Sequence, residues 1–187
     1  MIPAAQPIIG DDERAAVDAV LSSGMIAQGP QVAAFEQEFA AYLGSGVQAV
    51  AVNSATAGLH LALEAIGIGP GDEVIAPTLT FTATVEVARY LGADAKLVDV
   101  DPVTLNIDPA RIEAAITPAT RAILPVHYGG LACDMAAIFD IARRHGLRVV
   151  EDAEHALPAT FQGATVGQLA SAAAVFSFYA NKTMTTG

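Results

Sequence analysis

Residues 134–155, Asp-Met-Ala-Ala-Ile-Phe-Asp-Ile-Ala-Arg-Arg-His-Gly-Leu-Arg-Val-Val-Glu-Asp-Ala-Glu-His, decide the fold. Asp134 is placed to cap a helix that turns Met135, Ile138, Phe139 and Ala142 inward, and Gly146 stops it. Leu147 to Glu151 then reads as a strand, and the chain leaves it through the polar run Asp152-Ala153-Glu154-His155. A helix feeding a short apolar strand is half of an alternating unit, and the unit recurs on both sides of this stretch.

Upstream, Glu73 to Ala76, Ala95 to Val98 and Arg121 to Val126 read as strands. Phe81 to Tyr90 and a short segment opened by Asp108-Pro109 read as the helices between them. Earlier still, Asp11 to Ser23 forms an amphipathic helix stopped by Gly24, and Pro30 opens a second one that ends at Gly44. Gln48 to Val52 is a strand candidate, followed by a helix capped by Asn53 or Ser54. Downstream, Gln162-Gly163 marks a hairpin and Ser171 to Phe176 the last strand. Strand and helix alternating in this way predict an α/β fold, a three-layer sandwich with a mostly parallel sheet and helices on both faces.

The 187 residues suffice for one domain with a sizeable core, and an apolar content of 53% excludes a disordered chain. No apolar run reaches the length of a membrane span, and no signal-peptide pattern opens the chain, so a soluble, cytoplasmic protein is expected. Twenty acids against nine bases give a net charge of -11, which argues against nucleic acid or an anionic membrane as partner. The single cysteine, Cys133, has no metal-ligand spacing around it and reads as a packing residue, so no metal site is expected. Gly67-Ile68-Gly69-Pro70-Gly71 imitates part of a dinucleotide fingerprint but follows a helix and precedes a strand, the reverse of the required context.

Parallel sheets bind ligands beyond the carboxyl ends of their strands. The segments there are Asn53-Ser54-Ala55-Thr56, Thr78-Leu79-Thr80-Phe81, His127-Tyr128-Gly129-Gly130, Asp152 to His155, and Ser177 through Lys182. Each residue has an ordinary reading. Asp152 serves as a loop acid or cap, His127 bonds backbone, Phe81 joins the core, Ser54 and Thr56 cap a helix, and Lys182 snorkels its ammonium to water. Taken together they have a more specific one. Pyridoxal phosphate needs an amine for its aldehyde, an acid against its pyridine nitrogen, an anion site for its phosphate and a flat side chain against its ring. Lys182, one of only two lysines, supplies the amine, and the helix start at Ser54 to Ala57 suits the phosphate.

These motifs resemble the DegT/StrS-type sugar aminotransferases, fold-type I enzymes dependent on pyridoxal 5'-phosphate. The matching stretches run from Ser23-Gly24 through Gln28-Gly29-Pro30, Asn53 to Ala57, Gly69 to Val74 and Pro77 to Thr84. They continue through Pro125 to Gly130, Glu151 to Ala156 and Phe176 to Lys182. The resemblance implies Lys182 as the lysine that joins the cofactor and Asp152 as partner of the ring nitrogen. It further implies that Thr56, Ala57 and Ser177 hold the phosphate, that Phe81 stacks on the ring, and that His155 lies beside the ring and its hydroxyl. An amino acid, expected to be glutamate, would donate the amino group to a keto sugar nucleotide. Within the family the chain resembles the type that aminates a UDP-linked 4-keto pentose, and the resemblance implies a homodimer as the working enzyme.

Glu154 stands where the family commonly has a small residue, and Tyr179 where many members have histidine. Family members continue for about as many residues again, so residues 1–187 are expected to be an incomplete large domain, without its C-terminal part and small domain. Two other readings stay open: a non-catalytic fragment or interaction module of the same fold, and a sugar dehydratase using the same cofactor. Members of the latter kind carry histidine in place of the lysine.

Overall fold

The computed structural model describes residues 5–44 and 46–186; residues 1–4, 45 and 187 of the expected 1–187 domain lie outside the described residues. The chain divides into two compact units. One comprises Met1–Ala51 with Phe178–Gly187, and the other Val52–Ser177.

The first unit holds helices α1 (Asp11–Ser23) and α2 (Pro30–Leu43). Both begin and end where the sequence expects. Gly24 takes the left-handed conformation (φ 74°) that stops α1, and Pro30 occupies the first turn of α2, where its missing N–H costs no hydrogen bond. Phe35 and Phe39 on α2 each meet Phe178 edge to face, with ring centroids 5.1 and 5.3 Å apart.

Gln48 to Val52 departs from expectation, because no ladder runs along it among the described residues. Its exposure still alternates with the period of two that a strand requires. A strand exists only by exchanging backbone hydrogen bonds with a neighbour, however, and the Ala51 N–H is taken by the Glu36 carboxylate at 2.8 Å.

The second unit is built on a five-stranded parallel sheet in the order β2-β1-β3-β4-β7. Its strands are β1 (Glu73–Pro77), β2 (Asp94–Val98), β3 (Thr120–Ile123), β4 (Arg148–Asp152) and β7 (Ala173–Val175). A separate antiparallel pair, β5 (Thr160–Phe161) and β6 (Ala164–Thr165), forms the hairpin read at Gln162-Gly163. Both turn residues have positive φ, 50° and 86°, as a two-residue hairpin turn demands.

Alternate side chains of the sheet enter opposite cores. Val74, Ala76, Ala122, Leu124, Val150 and Val175 face Leu59 and Leu63 of α3 (Ala55–Ala65) and Val87 of α4 (Thr82–Tyr90). Ile75, Ile123 and Val149 face Ile112 of α5 (Pro109–Ala115) and Met135, Ile138 and Ile141 of α6 (Met135–His145). Two helices on each face make the expected three layers. Because β1 leads to β2 on one side and β3 leads to β4 on the other, strand order reverses between β1 and β3. Such a reversal opens a crevice at the carboxyl ends of the strands.

Candidate active site

Asp152 is the last residue of β4 and is only 3% exposed. The strand continues to hold it by its backbone. Its N–H donates to Pro125 O at 2.9 Å, its carbonyl accepts from His127 N–H at 3.1 Å, and the next N–H, of Ala153, donates to Val175 O at 2.8 Å. Its side chain is bound as firmly. Thr84 Oγ1 donates to Oδ2 at 2.7 Å, and the Glu154 backbone N–H donates to Oδ1 at 3.2 Å. Donors on both oxygens favour the ionised carboxylate.

Two helices begin beside this strand end. Ser54 caps α3, its hydroxyl accepting the Ala57 N–H at 3.1 Å, so Thr56 and Ala57 occupy the first helical turn. That turn approaches β7 closely. A Cβ placed on Gly58 would lie 2.8 Å from Val175 Cγ1, so only glycine lets α3 sit there. At the other helix, Phe81 is the N-cap residue of α4, and its ring, expected on apolarity alone to join the core, is 70% exposed. Ser177 follows β7 by two residues. His155 lies in the exposed turn after β4, with its ring 6.2 Å from that of Tyr128. Gly130 permits this approach, since a Cβ there would come within 3.0 Å of the His155 carbonyl. The second unit therefore gathers Thr56, Ala57, Phe81, Asp152, His155 and Ser177 around the carboxyl ends of β1, β4 and β7. Lys182 belongs to the first unit, where its N–H donates to Tyr179 O at 2.9 Å in a turn.

Behind Asp152, on the opposite face of β4, lies a buried polar group. His127 and Glu151 are fully buried and 2.8 Å apart, Nε2 to Oε2. His127 Nδ1 accepts the Cys133 backbone N–H at 3.0 Å, so the ring proton resides on Nε2 and is donated to Glu151. The Ser171 hydroxyl donates to the other Glu151 oxygen. The structural role read for His127 thus holds, and its backbone partner is Cys133. Burial, with the Glu151 charge next, pushes the Cys133 thiol up to about 12, so this cysteine is inert.

Sequence reasoning singled out neither Thr84 nor the Glu151 pairing. The available signals were an acid directly after the apolar pair Val149-Val150 and a threonine one helical turn beyond Thr80. Among the described residues no group of three or more His, Cys, Asp or Glu is placed to hold a metal, and no helix is long and apolar enough to cross a membrane. A groove of about 380 Å³ beside β2 is lined by Lys96, Leu97, Asp99 and Arg111 and by none of the expected site residues.

The fold is that of aminotransferases dependent on pyridoxal phosphate. A solved 3-amino-5-hydroxybenzoic acid synthase superposes with a TM-score of 0.91 at 43% identity, over 99% of this chain and 48% of its own. A sugar aminotransferase described as putative, Spr1654 from Streptococcus pneumoniae, solved in apo, pyridoxal-phosphate and pyridoxamine-phosphate forms, superposes with a TM-score of 0.91. It is 34% identical over 98% of this chain and 50% of its own. The profile of the DegT/DnrJ/EryC1/StrS aminotransferase family matches residues 7–187, and the chain belongs to that family. The spore coat polysaccharide biosynthesis protein SpsC of Bacillus subtilis (strain 168) is 50% identical over 186 residues, which are 100% of this chain and 47% of SpsC. The chain spans about half the length of the relatives it matches.

Proposed function

We propose that this chain is the cofactor-holding part of an aminotransferase that moves an amino group from an amino acid, glutamate being the expected donor, to a keto sugar carried on a nucleotide. The observation that carries the reading is Asp152, a nearly buried carboxylate with a donor on each oxygen at the carboxyl edge of a parallel sheet. Its surroundings suit pyridoxal 5'-phosphate. An ionised acid matches a protonated ring nitrogen, the first turn of α3 offers Thr56 and Ala57 to a phosphate, and Phe81 carries an uncovered ring at the start of α4.

When bound, the cofactor supplies an electron-accepting ring that allows an amino group to pass from donor to acceptor. In this reading Asp152 would hold the proton on the ring nitrogen, and Thr56, Ala57 and Ser177 would hold the phosphate. Phe81 would stack on the ring, and His155 would lie beside the ring and its hydroxyl. Lys182 Nζ would be the amine that holds the cofactor aldehyde, and as a free amine it could accept and return a proton. The sugar class is supported by the description of SpsC as a protein of polysaccharide biosynthesis and of Spr1654 as a putative sugar aminotransferase. Residues 1–187 would form part of a large domain, and the working enzyme would be a homodimer.

The test mixes protein with pyridoxal phosphate and then with borohydride. A visible absorption band should appear, and reduction should fix the cofactor to the peptide containing Lys182. In the full-length protein, glutamate and a keto sugar nucleotide should then yield 2-oxoglutarate and the amino sugar. A band that persists in Lys182→Ala, or fixation at Lys96 alone, would overturn the assignment. Cofactor bound at Lys182 with no transfer would leave the non-catalytic reading standing.

A further inference from the structure

We propose that Thr84 is a positioning residue for Asp152, setting the orientation and charge of that carboxylate from the first turn of α4; the inference rests on the reading of Asp152 as partner of the ring nitrogen. Thr84 is 1% exposed, and its Oγ1 lies 2.7 Å from Asp152 Oδ2. The direction of this bond is fixed by a second hydroxyl. Thr80 Oγ1 donates to Thr84 Oγ1, also at 2.7 Å, so the single proton of Thr84 is directed to the carboxylate. On the other oxygen the Glu154 backbone N–H can only donate. Each oxygen of Asp152 therefore faces a group that demands an acceptor, the arrangement that favours the ionised acid and opposes rotation about its terminal torsion.

The location adds to the effect. Thr84 lies in the first turn of α4, where the helix presents its partial positive charge. Three residues earlier Phe81 serves as N-cap of the same helix. One helical turn thus fixes two contacts expected of the cofactor ring, the stacked side chain and the orientation of the acid. Valine matches threonine in shape but removes the donor, leaving a nearly buried carboxylate oxygen without its hydroxyl partner.

The test uses the full-length protein loaded with pyridoxal phosphate labelled with nitrogen-15 in the ring, and reads the chemical shift of that nitrogen. Wild type and Thr84→Ser should both give the shift of a protonated ring. Thr84→Val and Thr84→Ala should move it toward neutral pyridine and weaken cofactor binding by about ten- to a hundredfold, the equivalent of one hydrogen bond to a charged group. The alanine variant keeps the test valid if valine disturbs folding. A merely structural role would lower thermal stability and leave the shift unmoved, and that result in both variants would overturn the proposal. Asp152→Asn separates the two readings. If it moves the shift while the Thr84 variants do not, only the role of Thr84 fails. If it too leaves the shift unmoved, the assignment of Asp152 fails, and that of Thr84 with it.

Discussion

Glu151 and Asp152 are chemically similar neighbours with different surroundings, because successive side chains of a strand leave on opposite faces. Asp152 meets hydroxyl and backbone donors at the strand end, whereas Glu151 turns into the molecule against His127, Ser171 and the Cys133 segment. From the sequence, the Asp152 rim was legible because a polar run follows an apolar strand. The Glu151 pairing was not, because its partner lies 24 residues away on another strand end and no local pattern joins them. Cys133 reports on this buried group. Its thiol keeps its proton in the folded state up to about 12, well above the roughly 9 of an exposed cysteine. Below pH 9 both folded and unfolded chains hold the proton, and this contribution to stability is fully present. As pH rises from about 9 to about 12, the unfolded chain loses the proton first and stability falls, with a slope approaching about 1.4 kcal/mol per pH unit. Urea unfolding across this window should show that slope in wild type and its loss in Cys133→Ala. Equal slopes in the two proteins would refute the buried, protonated thiol.

At the scale of elements, caps and stops were the most legible features. Ser54, Asp108 and Asp134 cap α3, α5 and α6, and Gly146 stops α6 in the left-handed conformation, each a contact made within a few residues. The segment Gln48 to Val52 was misread because its pattern satisfies one requirement of a strand and its backbone partners do not satisfy the other. Gly58 shows a different limit. In sequence it is only a weak helix former within α3, yet in the structure it is what lets α3 approach β7. Gly58→Ala gains helix propensity of up to about 1 kcal/mol, but drives a methyl group against the stiff, β-branched Val175. The net expectation is destabilisation by roughly 1–3 kcal/mol with weakened cofactor binding at the first turn of α3. Val175→Ala in the Gly58→Ala background should restore much of both losses. Calorimetry and a cofactor titration would check this, and a stabilised Gly58→Ala protein would refute the close approach.

Across the second unit, one sheet separates two cores, and the strands contribute alternate residues to each. Val74 and Val150 enter the core lined by Leu63, while Ile75 and Val149 enter the core lined by Ile138. Alternation of strands and helices made the layers readable before the structure, but which strands lie at the centre depends on crossovers that no local pattern encodes. The order β2-β1-β3-β4-β7 places β1, β3 and β4 between neighbours, where they are largely buried on both faces, and leaves β2 at an edge with much of its surface open. The two cores therefore cannot melt separately without breaking the same central ladders. Leu63→Ala and Ile138→Ala, both at fully buried positions, should each cost about 2–5 kcal/mol. Because the side chains lie in different cores with no shared partners, the double variant should lose close to the sum of the two. Both should lower one urea midpoint of this unit without changing its steepness, as expected when the unit unfolds as one cooperative body. A biphasic transition in which Leu63→Ala moves one step and Ile138→Ala the other would mean that the sheet does not couple the two layers.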